Sequence, residues 1–179
     1  MAENGTLNLS WREMDKIVAL MNGIVAAYEV ALVRTLGRGA NAMVQMLLTE
    51  LGDLLADFVT STKTIEKSYR NAAQLIAEAL KQLGIAKEVE VEEVSTEQGA
   101  RIWKIRIKDS IFTAAHKLLA SRGLREVSLS PEGLLVASIL RQVLREQEGR
   151  HARVTMTTRL PSDNEPLEIV VKQIPALRR

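Results

Sequence analysis

Two histidines, four glutamates on one short segment and one glutamate inside an apolar run are the residues of this 179-residue chain whose types and spacing could do chemistry. A metal site needs ligands gathered at helical spacing or clustered on a strand face. His116 falls on a predicted helix beside Phe112 and Ala120, and His151 falls before a predicted strand. Neither has a second histidine or a carboxylate at ligand spacing, so both read as structural, and no metal or cofactor is expected. Glu88, Glu90, Glu92 and Glu93 lie on a predicted strand, where alternate residues share a face and could hold a cation. Lys104, Arg106 and Lys108 on the next strand are nearer partners, so a solvated ion-pair face is the simpler reading. Glu29 stands beside Tyr28 in an apolar stretch. A buried carboxylate must be paired or protonated. Either Arg34 or Arg38 pairs with Glu29 across a helix contact, or Glu29 faces solvent on a narrow polar stripe.

The remaining candidates are negative. The chain has no cysteine, which excludes disulfides, thiolate metal sites and cysteine nucleophiles. No serine sits in a nucleophile elbow. Gly37-Arg38-Gly39 lacks the further glycine and the preceding strand of a phosphate-cradling loop. Arg141 and Arg145, four apart on a predicted helix, could touch an anion but read more simply as solvated surface. No catalytic residue is assigned, and the chain is not expected to be an enzyme.

The elements that position these residues follow from apolar period. Ser10 with Glu13 forms a capping box opening a helix that runs to about Leu36. A second helix, about Ala40 to Val59, carries apolar residues on more than one face, which predicts that it is covered on two sides. A third runs from about Ile65 to Leu83, stopped by Gly84. The period then changes to two: Val89 and Val91, then Trp103, Ile105 and Ile107, alternate with charged residues as a one-faced hairpin. Its outer face is acidic on one strand and basic on the other, so it neutralises itself and argues against nucleic-acid binding. Asp109 caps a predicted helix over Ser110 to Ser121, stopped by Gly123. Leu124 to Leu129 is a short segment that reads as extended. Ser130-Pro131-Glu132 starts a fifth helix with serine at the N-cap and proline in the first turn. A second hairpin alternates through Ala152, Val154 and Met156, then Leu167, Ile169 and Val171. Helix, glycine and hairpin thus occur twice, over 65–108 and 131–174, either as an internal repeat or as a common unit used twice.

Composition bounds the rest. A 46% apolar fraction supplies a core, and only 3% aromatic residues make it aliphatic. The run from Ile17 to Val33 is interrupted by Asn22 and Glu29, and reads as a buried helix or subunit interface instead of a membrane span. No secretory signal is visible, and a cytoplasmic location is expected. Lack of cysteine with a 26% charged fraction is compatible with a thermophilic source. The expected organisation is a flexible N-terminus over 1–9, one α+β domain over 10–174 and a C-terminal tail over 175–179. Its sheet should be antiparallel, of about four strands, with helices packed on one face and a solvated other face.

The segment Pro131-Glu132-Gly133-Leu134-Leu135-Val136-Ala137-Ser138-Ile139-Leu140, then Gly149, then Val154-Thr155-Met156-Thr157-Thr158-Arg159, then Leu167-Glu168-Ile169-Val170, resembles the 4-vinyl reductase domain superfamily, which also includes the TRAPP vesicle-tethering subunits. The helix around Gly37-Arg38-Gly39-Ala40 looks like that family's early helix, and the order of elements agrees over most of the chain. Many members carry two cysteines flanking the last turn; Leu160 and Leu167 stand there here, so any metal or redox role tied to them is absent. The lipid-attachment cysteine of some TRAPP subunits has no counterpart either. The resemblance implies a fold that dimerises through its helices and either holds a small hydrophobic ligand or assembles protein complexes, without catalysis. On this reading Leu134, Leu135, Ser138 and Ile139 line the ligand pocket with Tyr28 as a polar handle, although they serve equally as core. Val44, Leu47, Leu48, Leu51 and Leu55 on the second helix are the expected homodimer interface, since large exposed apolar patches are rare on monomers. The alternative is a dimeric scaffold subunit that recruits other proteins.

Overall fold

The change from a 3.6-residue to a two-residue apolar period divides the chain into helices that cover and strands that are covered. The computed structural model describes residues 11–37, 43, 46, 54, 71–95, 100–127, 130–148, 153–162 and 165–174. Its elements are α1 (Trp11–Leu36), α2 (Ala72–Gln82), β1 (Ala86–Ser95), β2 (Arg101–Ser110), α3 (Thr113–Ser121), β3 (Glu126–Val127), α4 (Pro131–Glu148), β4 (Arg153–Arg159) and β5 (Leu167–Ile174). The expected N-terminal segment and C-terminal tail lie outside the described residues. So does the expected helix over 40–59, apart from Met43, Met46 and Leu54, which are helical and exposed.

The five strands form one antiparallel sheet in the order β1-β2-β5-β4-β3. The expected count of about four is corrected by β3, a two-residue strand within the segment read as extended. Within the first hairpin Glu88 faces Lys108, Glu90 faces Arg106 and Glu92 faces Lys104. Opposite charges face each other across the strands as the alternation predicts; Lys108 comes within 3.4 Å of Glu88, while Arg106 lies 3.9 Å from Glu168 on β5. The hairpins join through their second strands: Trp103 faces Val171, Ile105 faces Ile169 and Ile107 faces Leu167. All six side chains are buried. The chain is thus two helix–strand–strand units, α2-β1-β2 and α4-β4-β5, whose last strands pair antiparallel. Ile76 and Leu80 from α2, and Val136, Leu140 and Leu144 from α4, are fully buried in the same aliphatic core.

Local chemistry fixes where the helices begin and end. The expected start of α2 near Ile65 is corrected: Asn71 is extended, and its side chain accepts from the Gln74 N–H at 2.8 Å as an N-cap. At the other end Gly84 takes φ +67°, its N–H reaching the Lys81 carbonyl and the Ile85 N–H the Leu80 carbonyl. That is the Schellman pattern, which needs a left-handed residue. Ser130 caps α4 as predicted, accepting from the Gly133 N–H at 3.0 Å while bonding the Thr158 hydroxyl at 2.9 Å. Gly133 sits close to its neighbours: a Cβ there would lie 2.5 Å from the Met156 sulfur and 2.8 Å from Ser130 Oγ, so both side chains would have to shift.

α1 departs from the reading of a buried helix. Its inward face is small and polar: Asn22, Ala26 and Glu29 are buried. Asn22 ties it to the segment around α3, donating to the Ile111 carbonyl and accepting from the Ala115 N–H, both at 2.8 Å. Several of its large apolar residues, among them Leu20, Ile24 and Tyr28, are exposed, while Val25, Val30 and Leu32 are half-buried against the core. By length and composition Met14–Thr35 is long and apolar enough to cross a membrane. Glu29 does not face solvent; it is 2% exposed, and its Oε1 has no hydrogen-bond partner among the described residues. Burial raises its pKa to about 8.

A carboxyl with a folded pKa above its unfolded value binds the extra proton in the folded state, so stability is greatest below the unfolded pKa of 4.5 and declines as pH rises toward about 8. Urea unfolding across this window should show stability falling with pH by at most about 1.4 kcal/mol per unit from this group. Glu29→Gln should remove that component of the slope and gain on the wild type as pH rises. A slope unchanged in the variant would show that Glu29 does not carry it.

Candidate functional site

The site begins with a phase change at the end of β2. Trp103, Ile105 and Ile107 point inward, and strict alternation would bury residue 109 next. Instead Asp109 takes φ +53° and stays exposed, while Ser110 is buried. Aspartate tolerates this left-handed conformation better than most residues. The expected helix over Ser110 to Ser121 with Asp109 as cap is corrected on this point. Ser110 forms a turn of its own, Oγ accepting from the Phe112 N–H at 3.0 Å and its carbonyl accepting from Thr113 Oγ1 at 2.6 Å, and α3 begins at Thr113.

One face of α3 then lines a cavity of about 720 Å³: Thr113, His116, Lys117, Ala120 and Ser121, at helical spacing. Ile107 and Leu167, paired across β2 and β5, form an apolar floor. Pro161, Ser162 and Glu165, from the connection between β4 and β5, stand opposite α3, and Lys108, Asp109 and Arg125 complete the lining.

Behind the wall lies a buried polar cluster. Glu132, in the first turn of α4, is fully buried. Ser110 Oγ donates to Glu132 Oε1 at 2.5 Å, and His116 Nε2 lies 3.4 Å from the same oxygen, close enough for an ion pair. Glu132 Oε2 and His116 Nε2 have no hydrogen-bond partner among the described residues. The contacts run serine–carboxylate–imidazole. A hydrolytic relay needs the imidazole between hydroxyl and carboxylate, so the serine proton here goes directly to the carboxylate. What the cluster offers is a fixed set of polar groups, with Ser110 and His116 on the cavity wall.

The predicted ligand-lining residues are not gathered at this cavity. Leu135, Ser138 and Ile139 are buried along α4, Ser138 Oγ donating to the Leu134 carbonyl at 2.7 Å; Leu134 is half-buried, and Tyr28 is exposed on α1. The predicted dimer residues Val44, Leu47, Leu48, Leu51 and Leu55 lie outside the described residues, as does His151. His116 does have a carboxylate neighbour, but one 16 positions away and on another helix, which spacing along the chain could not reveal. Glu132 reads in sequence as part of a helix start, and that role hid the other. No group of three or more histidine, cysteine, aspartate or glutamate side chains able to hold a metal occurs among the described residues.

Glu132→Ala should cost about 3 kcal/mol in denaturant unfolding, because Ser110 and His116 lose their shared buried partner. A loss within about 0.5 kcal/mol, the range of an ordinary surface substitution, would show that the cluster does not hold α3 to α4.

No protein-family model matches the chain. Among solved structures it is similar to the phenol-responsive sensory domain of the transcription activator PoxR with phenol, at TM-score 0.43 and 12% identity over 87% of this chain and 73% of that one. Among curated proteins it is 39% identical over 182 aligned positions to the uncharacterized protein MJ0312 of Methanocaldococcus jannaschii, covering 99% of this chain and 88% of that protein. The chain belongs to the same family as MJ0312.

Proposed function

We propose that the protein is a non-catalytic, sensor-like domain of the 4-vinyl reductase and TRAPP-like type that binds a small molecule and acts as a homodimer. The observation that carries the reading is the cavity of about 720 Å³ beside α3, with buried His116 and Ser110 on its wall. Ligand sites are concave spaces of roughly 300–1,000 Å³ with apolar walls and a few fixed polar groups. Ile107 and Leu167 supply the apolar floor here, and the Glu132 cluster fixes the polar groups. Leu167 is one of the two leucines standing where many relatives in the resembling superfamily carry cysteines, so an apolar surface takes the place of a thiol. The mixed lining favours an amphipathic ligand over the purely hydrophobic one that the sequence suggests.

Native mass spectrometry and solvent extraction of the purified protein should recover a retained small molecule. Ala120→Trp should displace it by filling the cavity while leaving the fold intact by circular dichroism. Equal retention in the variant would place the ligand elsewhere, and nothing retained from several expression hosts would sink the reading.

A second reading, a scaffold subunit, is favoured by the apolar residues that α1 turns outward, Leu20, Ile24 and Tyr28 among them. Both readings use a dimer formed through the N-terminal helices. Size-exclusion chromatography with light scattering should give twice the chain mass, and Leu20→Glu with Ile24→Glu should give a monomer. A wild-type monomer at micromolar concentration would overturn the dimer.

A further inference from the structure

We infer that the cavity beside α3 takes a small organic anion, an apolar body ending in a carboxylate, with Lys117 and Arg125 as its charge partners. The inference rests on the ligand-binding reading above and adds the class of ligand. Three cations line the cavity, and they are not equivalent. Lys108 is engaged with Glu88 across the hairpin at 3.4 Å. The side chains of Lys117 and Arg125 have no ion pair or hydrogen bond among the described residues.

Two acids, Asp109 and Glu165, also line the cavity. Glu165 already accepts a hydrogen bond from Ser162 Oγ. Neither Asp109 nor Glu165 forms an ion pair with Lys117 or Arg125 among the described residues. The two cations without an ion pair therefore flank an apolar floor. Both cations are also carried on fixed backbone. Lys117 is in the middle of α3, one residue from His116. The Arg125 carbonyl accepts from the Leu160 N–H at 2.9 Å, which fixes its segment to the end of β4.

Unpaired cations beside an apolar floor match a molecule with an anionic end and an apolar body. Guanidinium and ammonium groups both bond carboxylates well, and arginine does so with a planar fork. Ile107, Leu167, Ala120 and Pro161 give the apolar body its contacts. Inorganic phosphate would satisfy the charge but leave the floor uncovered. A neutral molecule would cover the floor but leave the charge unused.

Isothermal titration calorimetry on the full chain would compare benzoate and octanoate with benzyl alcohol and octanol, and with inorganic phosphate. The acids should bind at least about tenfold more tightly than the matched alcohols. Lys117→Gln with Arg125→Gln should weaken the acids about tenfold, to the level of the alcohols, leave the alcohols unchanged and remove the salt dependence. A melting curve confirms that the double variant is folded. Tighter binding of octanoate than benzoate, or the reverse, supports the inference and identifies an acyl or an aromatic body. Alcohols that bind as tightly as acids, in both proteins, would overturn the anionic class and leave the ligand-binding reading standing. Phosphate binding as tightly as the acids would reduce the site to an ion site and overturn the inference. Absence of binding by every probe would overturn both.

Discussion

The pairing of β2 with β5 holds the rest of the structure in place. Each hairpin alone has one apolar face and little to cover it, and an isolated two-stranded hairpin is marginal in water. Once Trp103, Ile105 and Ile107 lie beside Val171, Ile169 and Leu167, the two faces become one continuous surface. α2 and α4 then have a common floor to bury, and their apolar stripes meet over it. The pairing also brings the end of β2, where α3 departs, beside the start of β5. Ile107 and Leu167 are the last pair of that ladder and the floor of the cavity. The position of the candidate site is therefore a consequence of strand register, and a slip of one residue would turn its floor to the other side of the sheet.

The helices are fastened by different means. α2 and α4 are held by aliphatic burial, which is strong and undirected. α1 is held at Asn22 by two hydrogen bonds to the backbone around α3, which are weaker but fix position and rotation. α3 is held to α4 through Ser110, Glu132 and His116. The element that lines the cavity is thus joined to its neighbours on both sides by polar contacts. Such contacts specify a geometry more narrowly than apolar packing does, because an unpaired buried polar group is costly.

Much of this fold is legible in the chain. The alternation around Trp103 and around Ile169 predicts both hairpins and their buried faces, and Ser130-Pro131 and Gly84 predict the start of α4 and the end of α2. These signals are local: each depends on residues within a few positions. The errors arise where a local signal competes with another contact. Asp109 resembles a helix cap, but the left-handed backbone there serves to turn Ser110 inward. The apolar run of α1 resembles a core helix, yet its polar residues face in, because Asn22 finds carbonyl and amide partners that sequence cannot show. The candidate site was the least legible part. Its residues come from the ends of two strands, two helices and two connections, and only the assembled sheet brings them together.

The outermost strand has one more consequence. β1 is an edge of the sheet, and its exposed Glu88, Glu90 and Glu92 line one side of it. Unprotected edges are templates on which further strands can add, and the outcome is open-ended growth into fibres. A second copy laying its own β1 alongside would bring these carboxylates close to their counterparts. Like charges on neighbouring strands oppose that pairing. Within the molecule the same glutamates face Lys108, Arg106 and Lys104, so opposite charges meet there. One stripe of acidic residues therefore distinguishes the correct neighbour from an identical stranger, and keeps the sheet finite.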